Sequence, residues 1–126
     1  MNEPLEIEFS KPEKHPKAWG EELWIDNNYE YCGKVLKFNK GSSFSMHFHL
    51  DKRETWFLSK GNLQCEYFDL SNAEIKTRIL AEGSVVKIPR GHPHKLTALE
   101  DSIVFEVSTT HSEHDSYRIG KGDSQK

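Results

Sequence analysis

The sequence predicts an all-β domain, a sandwich or a barrel, on three observations. From Tyr29 onward, short apolar or alternating runs of four to eight residues recur between turn signals at Lys40-Gly41, Lys60-Gly61-Asn62, Ser71-Asn72-Ala73, Ala81-Glu82-Gly83 and Glu100-Asp101. No stretch carries a convincing amphipathic-helix period; Lys17 to Trp24 allows at most a helical turn. The 126 residues suffice for one domain with a core and are too few for two.

Taken in order, residues 1–18 read as an arm, broken by Pro4, Pro12 and Pro16. Its one regular piece is expected at Leu5–Phe9, whose alternation suits an edge strand. Trp19, Leu23 and Trp24 follow, as aromatic and apolar packing of the arm onto the body, and Asn27-Asn28 marks a turn. The body, residues 19–119, is expected to hold eight or nine strands, beginning with the run from Tyr29 to the Lys40-Gly41 turn. In the run Ser43–Leu50, alternation puts Ser45, His47 and His49 on one face and Phe44, Met46, Phe48 and Leu50 on the other. The tail, residues 120–126, is polar and Gly-containing and is expected to be disordered.

Composition excludes several classes. The formal charge is −3 with the signs interspersed, so no basic stripe points to nucleic acid. No run of eighteen apolar residues spans a membrane, and the acidic, polar N-terminus lacks the apolar region of a secretory signal; a cytoplasmic location is expected. Cys32 and Cys65 fit no metal knuckle and read as buried free thiols. A small-molecule ligand is the default partner.

The chemistry concentrates in two stretches, Gly41–Gly61 and Gly83–His94. On a strand, the imidazoles of His47 and His49 project together about 7 Å apart, close enough to reach one ion at roughly 2.0–2.1 Å from each nitrogen. Glu54 can add a carboxylate and His94, from a distant hairpin, can close the set. Imidazole with carboxylate suits a divalent Zn, Mn, Fe, Ni or Co ion with positions left open for chemistry. His92 lies two residues before His94, but Pro93 disturbs the alternation between them. His15, His111 and His114 read as solvated surface histidines.

These residues resemble the paired signatures of the cupin superfamily. Gly41, His47, His49, Glu54 and Gly61 match the first motif at every spacing, and Gly83, Pro89, Gly91 and His94 match the second, with Ala98 where that motif ends in Asn. The resemblance implies a double-stranded β-helix, or jelly-roll, barrel and a metal held by His47, His49, Glu54 and His94. More narrowly, Trp19-Gly20, Glu54-Thr55-Trp56, Ile88–Leu96 and Glu113–Arg118 look like the cupin domain of type II phosphomannose isomerases, a family that often has Gln where this chain has His47. That likeness implies an aldose–ketose isomerase acting on a sugar or sugar phosphate, with Glu54, His92, Lys95 and Arg118 as catalytic candidates and Arg118 on the anionic group. Two other readings stand beside it: a non-catalytic carbohydrate-binding cupin, and an Fe(II)-dependent dioxygenase, because three His and one Glu also occur in that class. Homodimerisation is expected, since cupins often pair through exposed sheet faces.

Overall fold

The computed structural model describes residues 6–125. Among the described residues, eleven strands form two antiparallel sheets: β1 (Glu13–Lys17), β2 (Gly20–Asn27), β3 (Cys32–Phe38), β4 (His47–Phe48), β5 (Glu54–Lys60), β6 (Leu63–Asp69), β7 (Glu74–Leu80), β8 (Val85–Ile88), β9 (His94–Ala98), β10 (Ser102–Ser108) and β11 (Tyr117–Arg118). One sheet runs β1-β2-β3-β10-β5-β8 and the other β11-β4-β9-β6-β7. The chain crosses between the sheets repeatedly, as the jelly-roll arrangement requires. No helix among the described residues is long and apolar enough to cross a membrane.

The period-2 pattern places the core between the sheets. Leu36 and Phe38 from β3, Trp56 and Leu58 from β5, Leu63 and Cys65 from β6, Leu96 and Ala98 from β9 and Val104 from β10 all point inward. Each fully buried leucine contributes about 1.5–3 kcal/mol by leaving water. Both cysteines are buried and free. At Gly61, φ is +102°, and a Cβ there would meet Ser102 Oγ and, at 2.6 Å, the Asp101 carbonyl. The β5–β6 turn therefore needs glycine.

Four expectations change. The helical turn considered for Lys17–Trp24 is strand instead, because Gly20–Asn27 pairs with β3 along its length. The arm's strand is β1 and not Leu5–Phe9: Leu5 lies outside the described residues, and Glu6–Phe9 form no strand. β1 is an edge strand, which is where Pro16 can sit without costing a ladder hydrogen bond. The run Ser43–Leu50 keeps strand pairing only at His47–Phe48, with an isolated bridge from Ser43 to Thr97. Its alternation also breaks at Phe44, which turns inward against Trp19, Phe38 and Trp56.

Gly120–Gln125, where the sequence suggested disorder, run along this same irregular segment. The amides of Ile119 and Asp123 donate to the carbonyls of Met46 and Ser43, at 2.8 and 3.0 Å. The Ser43 amide in turn donates to the Asp123 carboxylate at 2.8 Å.

Candidate metal centre

His47 on β4, His49 just after it and His94 at the start of β9 converge from paired segments: His47 lies opposite His94 in the β4–β9 register. Their ligand nitrogens all lie within 4.8 Å of one another, and the three rings together form a group that could hold a metal ion.

Hydrogen bonds fix the tautomer of each ring. His47 Nδ1 meets the Ser45 carbonyl at 2.7 Å, His49 Nδ1 the Asp115 carbonyl at 2.6 Å, and His94 Nδ1 the His92 carbonyl at 2.8 Å. A carbonyl can only accept, so each Nδ1 carries the proton and each Nε2 keeps a lone pair. Burial, reinforced by the neighbouring imidazole of His94, pushes the His47 pKa down to about 3. Burial also takes His94 down to about 4, and lowers His49 with help from the Lys52 charge. Three neutral imidazoles are thus held with their basic nitrogens together, the state a divalent ion requires.

Glu54, at the start of β5, stands beside them. Its Oε2 lies 3.4 Å from His49 Nε2, and its Oε1 lies 4.0 Å from His94 Nε2 and accepts the Trp56 indole N–H at 2.6 Å. Glu54 Oε2 and His94 Nε2 are fully buried with no hydrogen-bond partner among the described residues. A buried carboxylate oxygen and a buried imidazole lone pair left unmatched are costly, and a shared cation satisfies both. On that test the residues fit a divalent metal.

The centre opens into a cavity of about 250 Å³, lined by His47, His49 and Glu54, by Trp19 and Trp24, and by Glu22, Lys34, Lys52, His111 and Arg118. Lys34 and Lys52 are buried, at 3 % and 4 % exposure. Lys34 pairs with Glu22 at 3.3 Å and lies 4.4 Å above the Trp24 ring. Lys52 sits 3.2 Å from Glu106 and 3.7 Å from Glu54. Burial works against its charge, but Glu106 and Glu54 outweigh burial and hold the ammonium protonated.

The sequence-nominated residues divide. His47, His49, Glu54, His94 and Arg118 come together at this end of the barrel; Arg118 on β11 lies directly opposite His47, hence on the ligand face. His92 and Lys95 do not line this cavity. His92 lines a second space of about 610 Å³, bordered also by Tyr67, Arg78, Leu80, Ile88 and His94. Lys95 falls between the inward-facing His94 and Leu96 and so points to the outer face, opposite Glu66.

His111 is not a solvated surface histidine: its side chain is 13 % exposed and it lines the cavity. His15 stacks on Trp24 at 3.9 Å. Sequence reasoning also missed Asp115. Its carboxylate accepts the amides of Leu50, Asp51 and Lys52 at 2.8–3.2 Å while its carbonyl orients His49. The only signal for it was the acidic segment Glu113–Asp115.

No curated protein matches the chain. Among solved structures, the chain is similar to oxalate decarboxylase from Bacillus subtilis, with 17% identity and a TM-score of 0.75 over 90% of this chain and 31% of that one. It is similar also to the capsular polysaccharide assembling protein CapF of Staphylococcus aureus, with 18% identity and a TM-score of 0.77 over 89% of this chain and 33% of that one. KdgF from Halomonas sp. shares 19% identity with a TM-score of 0.64, over 75% of this chain and 81% of that one. The chain thus spans about a third of the first two proteins. The family model described as cupin matches residues 25–121, and the chain belongs to that family.

Proposed function

We propose that this cupin is a metal-dependent enzyme acting on a small anionic carbohydrate, a sugar phosphate or sugar acid, by an aldose–ketose type of isomerisation. One observation carries the reading: His47 and His49 of the histidine group line a cavity that is also lined by Arg118, directly across from His47. A guanidinium beside a metal-competent centre matches a ligand with an anionic group at one end and carbonyl and hydroxyl oxygens at the other.

His47, His49, His94 and Glu54 would hold the metal, which when bound supplies Lewis acidity toward the substrate's oxygens. Arg118 and Lys17 at the rim bind the anionic group. Trp19 and Trp24 wall the cavity against water. Two lining carboxylates, Glu22 and Glu113, stand outside the histidine group; Glu113 is mostly exposed, and the more buried Glu22 moves the proton between adjacent carbons. Burial acts to raise its pKa, but the Lys34 charge and the Trp24 indole N–H prevail and keep it ionised at neutral pH. Of the catalytic candidates read from the sequence, Glu54 and Arg118 stay in this scheme and His92 and Lys95 leave it.

The described relatives are consistent with the carbohydrate side, through CapF, and with a metal, through the Mn(II) centres named for oxalate decarboxylase. The test is conversion of mannose 6-phosphate and of pentose phosphates by protein loaded in turn with Mn, Zn, Fe, Co and Ni. Turnover without oxygen uptake, lost in Glu22→Gln, supports isomerisation. Substrate-dependent oxygen uptake would show a dioxygenase, and tight sugar binding with no turnover a non-catalytic carbohydrate-binding cupin.

The same reading includes a cytoplasmic homodimer. Leu23, Val35, Phe105, Phe57 and Val85 lie side by side across five strands on the outer face of the larger sheet, with Phe57, Phe105 and Val85 exposed. A monomeric mass in solution rejects it.

A further inference from the structure

The third histidine lining the cavity, His111, is held in the opposite tautomer to His47, His49 and His94. Lys52 Nζ lies 3.4 Å from His111 Nδ1. An ammonium has protons and no lone pair, so it can only donate, and His111 Nδ1 must accept. The ring proton of neutral His111 therefore sits on Nε2. Burial, together with the charges of Lys34 and Lys52, pushes its pKa down to about 3, which keeps the ring neutral.

The ring is built into its place. Asn27 at the end of β2 clamps the His111 backbone twice: its side-chain N–H donates to the His111 carbonyl at 3.1 Å, and its side-chain oxygen accepts the His111 amide at 2.9 Å. Trp24 packs edge-on against the imidazole at 5.2 Å. Lys52 is itself pinned by Glu106. Among the described residues, the acceptor that faces Nε2 is Glu113 Oε1, at 3.8 Å, on a side chain that is 78 % exposed. That is too long for a hydrogen bond, so the donor is left available to a ligand.

We infer that His111 is a substrate-contacting residue that presents Nε2–H to the cavity as a neutral hydrogen-bond donor to a ligand oxygen, and that Lys52 and Asn27 are its positioning residues. A neutral imidazole stabilises charge that develops on an oxygen without transferring a full proton to it. The inference rests on the reading that the cavity takes an oxygen-bearing ligand beside a metal.

The test has two arms on Zn-loaded protein. Nitrogen-15 NMR of the histidine rings is expected to show His111 protonated at Nε2 and bare at Nδ1, with the two tautomers mixing in Lys52→Met. A proton on Nδ1 in the unaltered protein overturns the inference. In the second arm, calorimetry with acetohydroxamate, which carries paired carbonyl and hydroxyl oxygens, is expected to show binding weakened about tenfold or more in His111→Phe and largely retained in His111→Gln, which keeps an N–H donor. Zn affinity is expected to stay within about twofold in both, as for a group outside the ligand set. Equal acetohydroxamate affinity in the unaltered protein and in His111→Phe sinks the role of His111 alone. No binding to the unaltered Zn protein sinks the oxygen-ligand reading of the cavity, and this inference with it.

Discussion

Arg118 lies directly opposite His47 across the β4–β11 pair, so a guanidinium and a metal-competent imidazole share one face of the sheet. The two strands are only two residues each, yet Phe48 and Tyr117 stack on the outer side at 5.2 Å and hold the pair together. Replacing Arg118 with Gln is expected to raise KM for an anionic substrate by roughly 10–100-fold, the loss of one charge-assisted contact, with metal content unchanged. Unaltered KM for a sugar phosphate would remove Arg118 from the site.

Asp115 orients His49 through its carbonyl and ties down Leu50, Asp51 and Lys52 through its carboxylate. Asp115→Ala releases that loop and, with it, the ring of His49. Metal affinity is expected to fall about 10–100-fold, as for other groups that orient a ligand. Competition with a chromogenic chelator measures it, and an unchanged affinity contradicts the role.

Lys52 neutralises two buried carboxylates, Glu106 and Glu54. Lys52→Met leaves both uncompensated and is expected to cost about 3–5 kcal/mol in denaturant unfolding of the metal-free protein. Adding Glu106→Gln removes one stranded charge, so the double variant is expected to be more stable than Lys52→Met alone. Simple additivity of two losses would show that the pair is not coupled.

Acid destabilises this site in a definite window. His47 and His94 have pKa values of about 3 and 4 in the folded chain against 6.5 for the free group. Between pH 6.5 and 4 the unfolded chain therefore binds protons that the folded chain refuses. Stability of the metal-free protein is full above about pH 6.5 and falls as the pH drops toward 4, by up to about 1.4 kcal/mol per unit for each such histidine. Urea midpoints that stay flat from pH 7 to 5 contradict buried neutral rings.

The two motif stretches were legible because local rules act there. Alternation aims His47 and His49 the same way, and Gly41, Gly61, Gly83 and Gly91 occupy turns with positive φ. The charged wall of the cavity was not legible. On β3 the inward set is Cys32, Lys34, Leu36 and Phe38, and the outward set of Gly33, Val35 and Lys37 also holds one lysine, so pattern alone cannot say which lysine is buried. Lys34 becomes tolerable inside only because Glu22 and Trp24 arrive from β2, and Lys52 only because Glu106 arrives from β10. His111 and Asp115 sit in a stretch without period, and their places come from contacts with Asn27 and Leu50–Lys52, 63 to 84 positions away. Propensity carries no information about contacts of that range.

The central claim is that His47, His49 and His94, with Glu54, hold one metal ion. Elemental analysis of protein purified without added metal, beside His49→Ala and His94→Ala variants that retain the β-sheet circular dichroism of the unaltered chain, tests it most directly. Close to one divalent ion per chain is expected, with its loss in both variants; full metal content in either folded variant would contradict the claim.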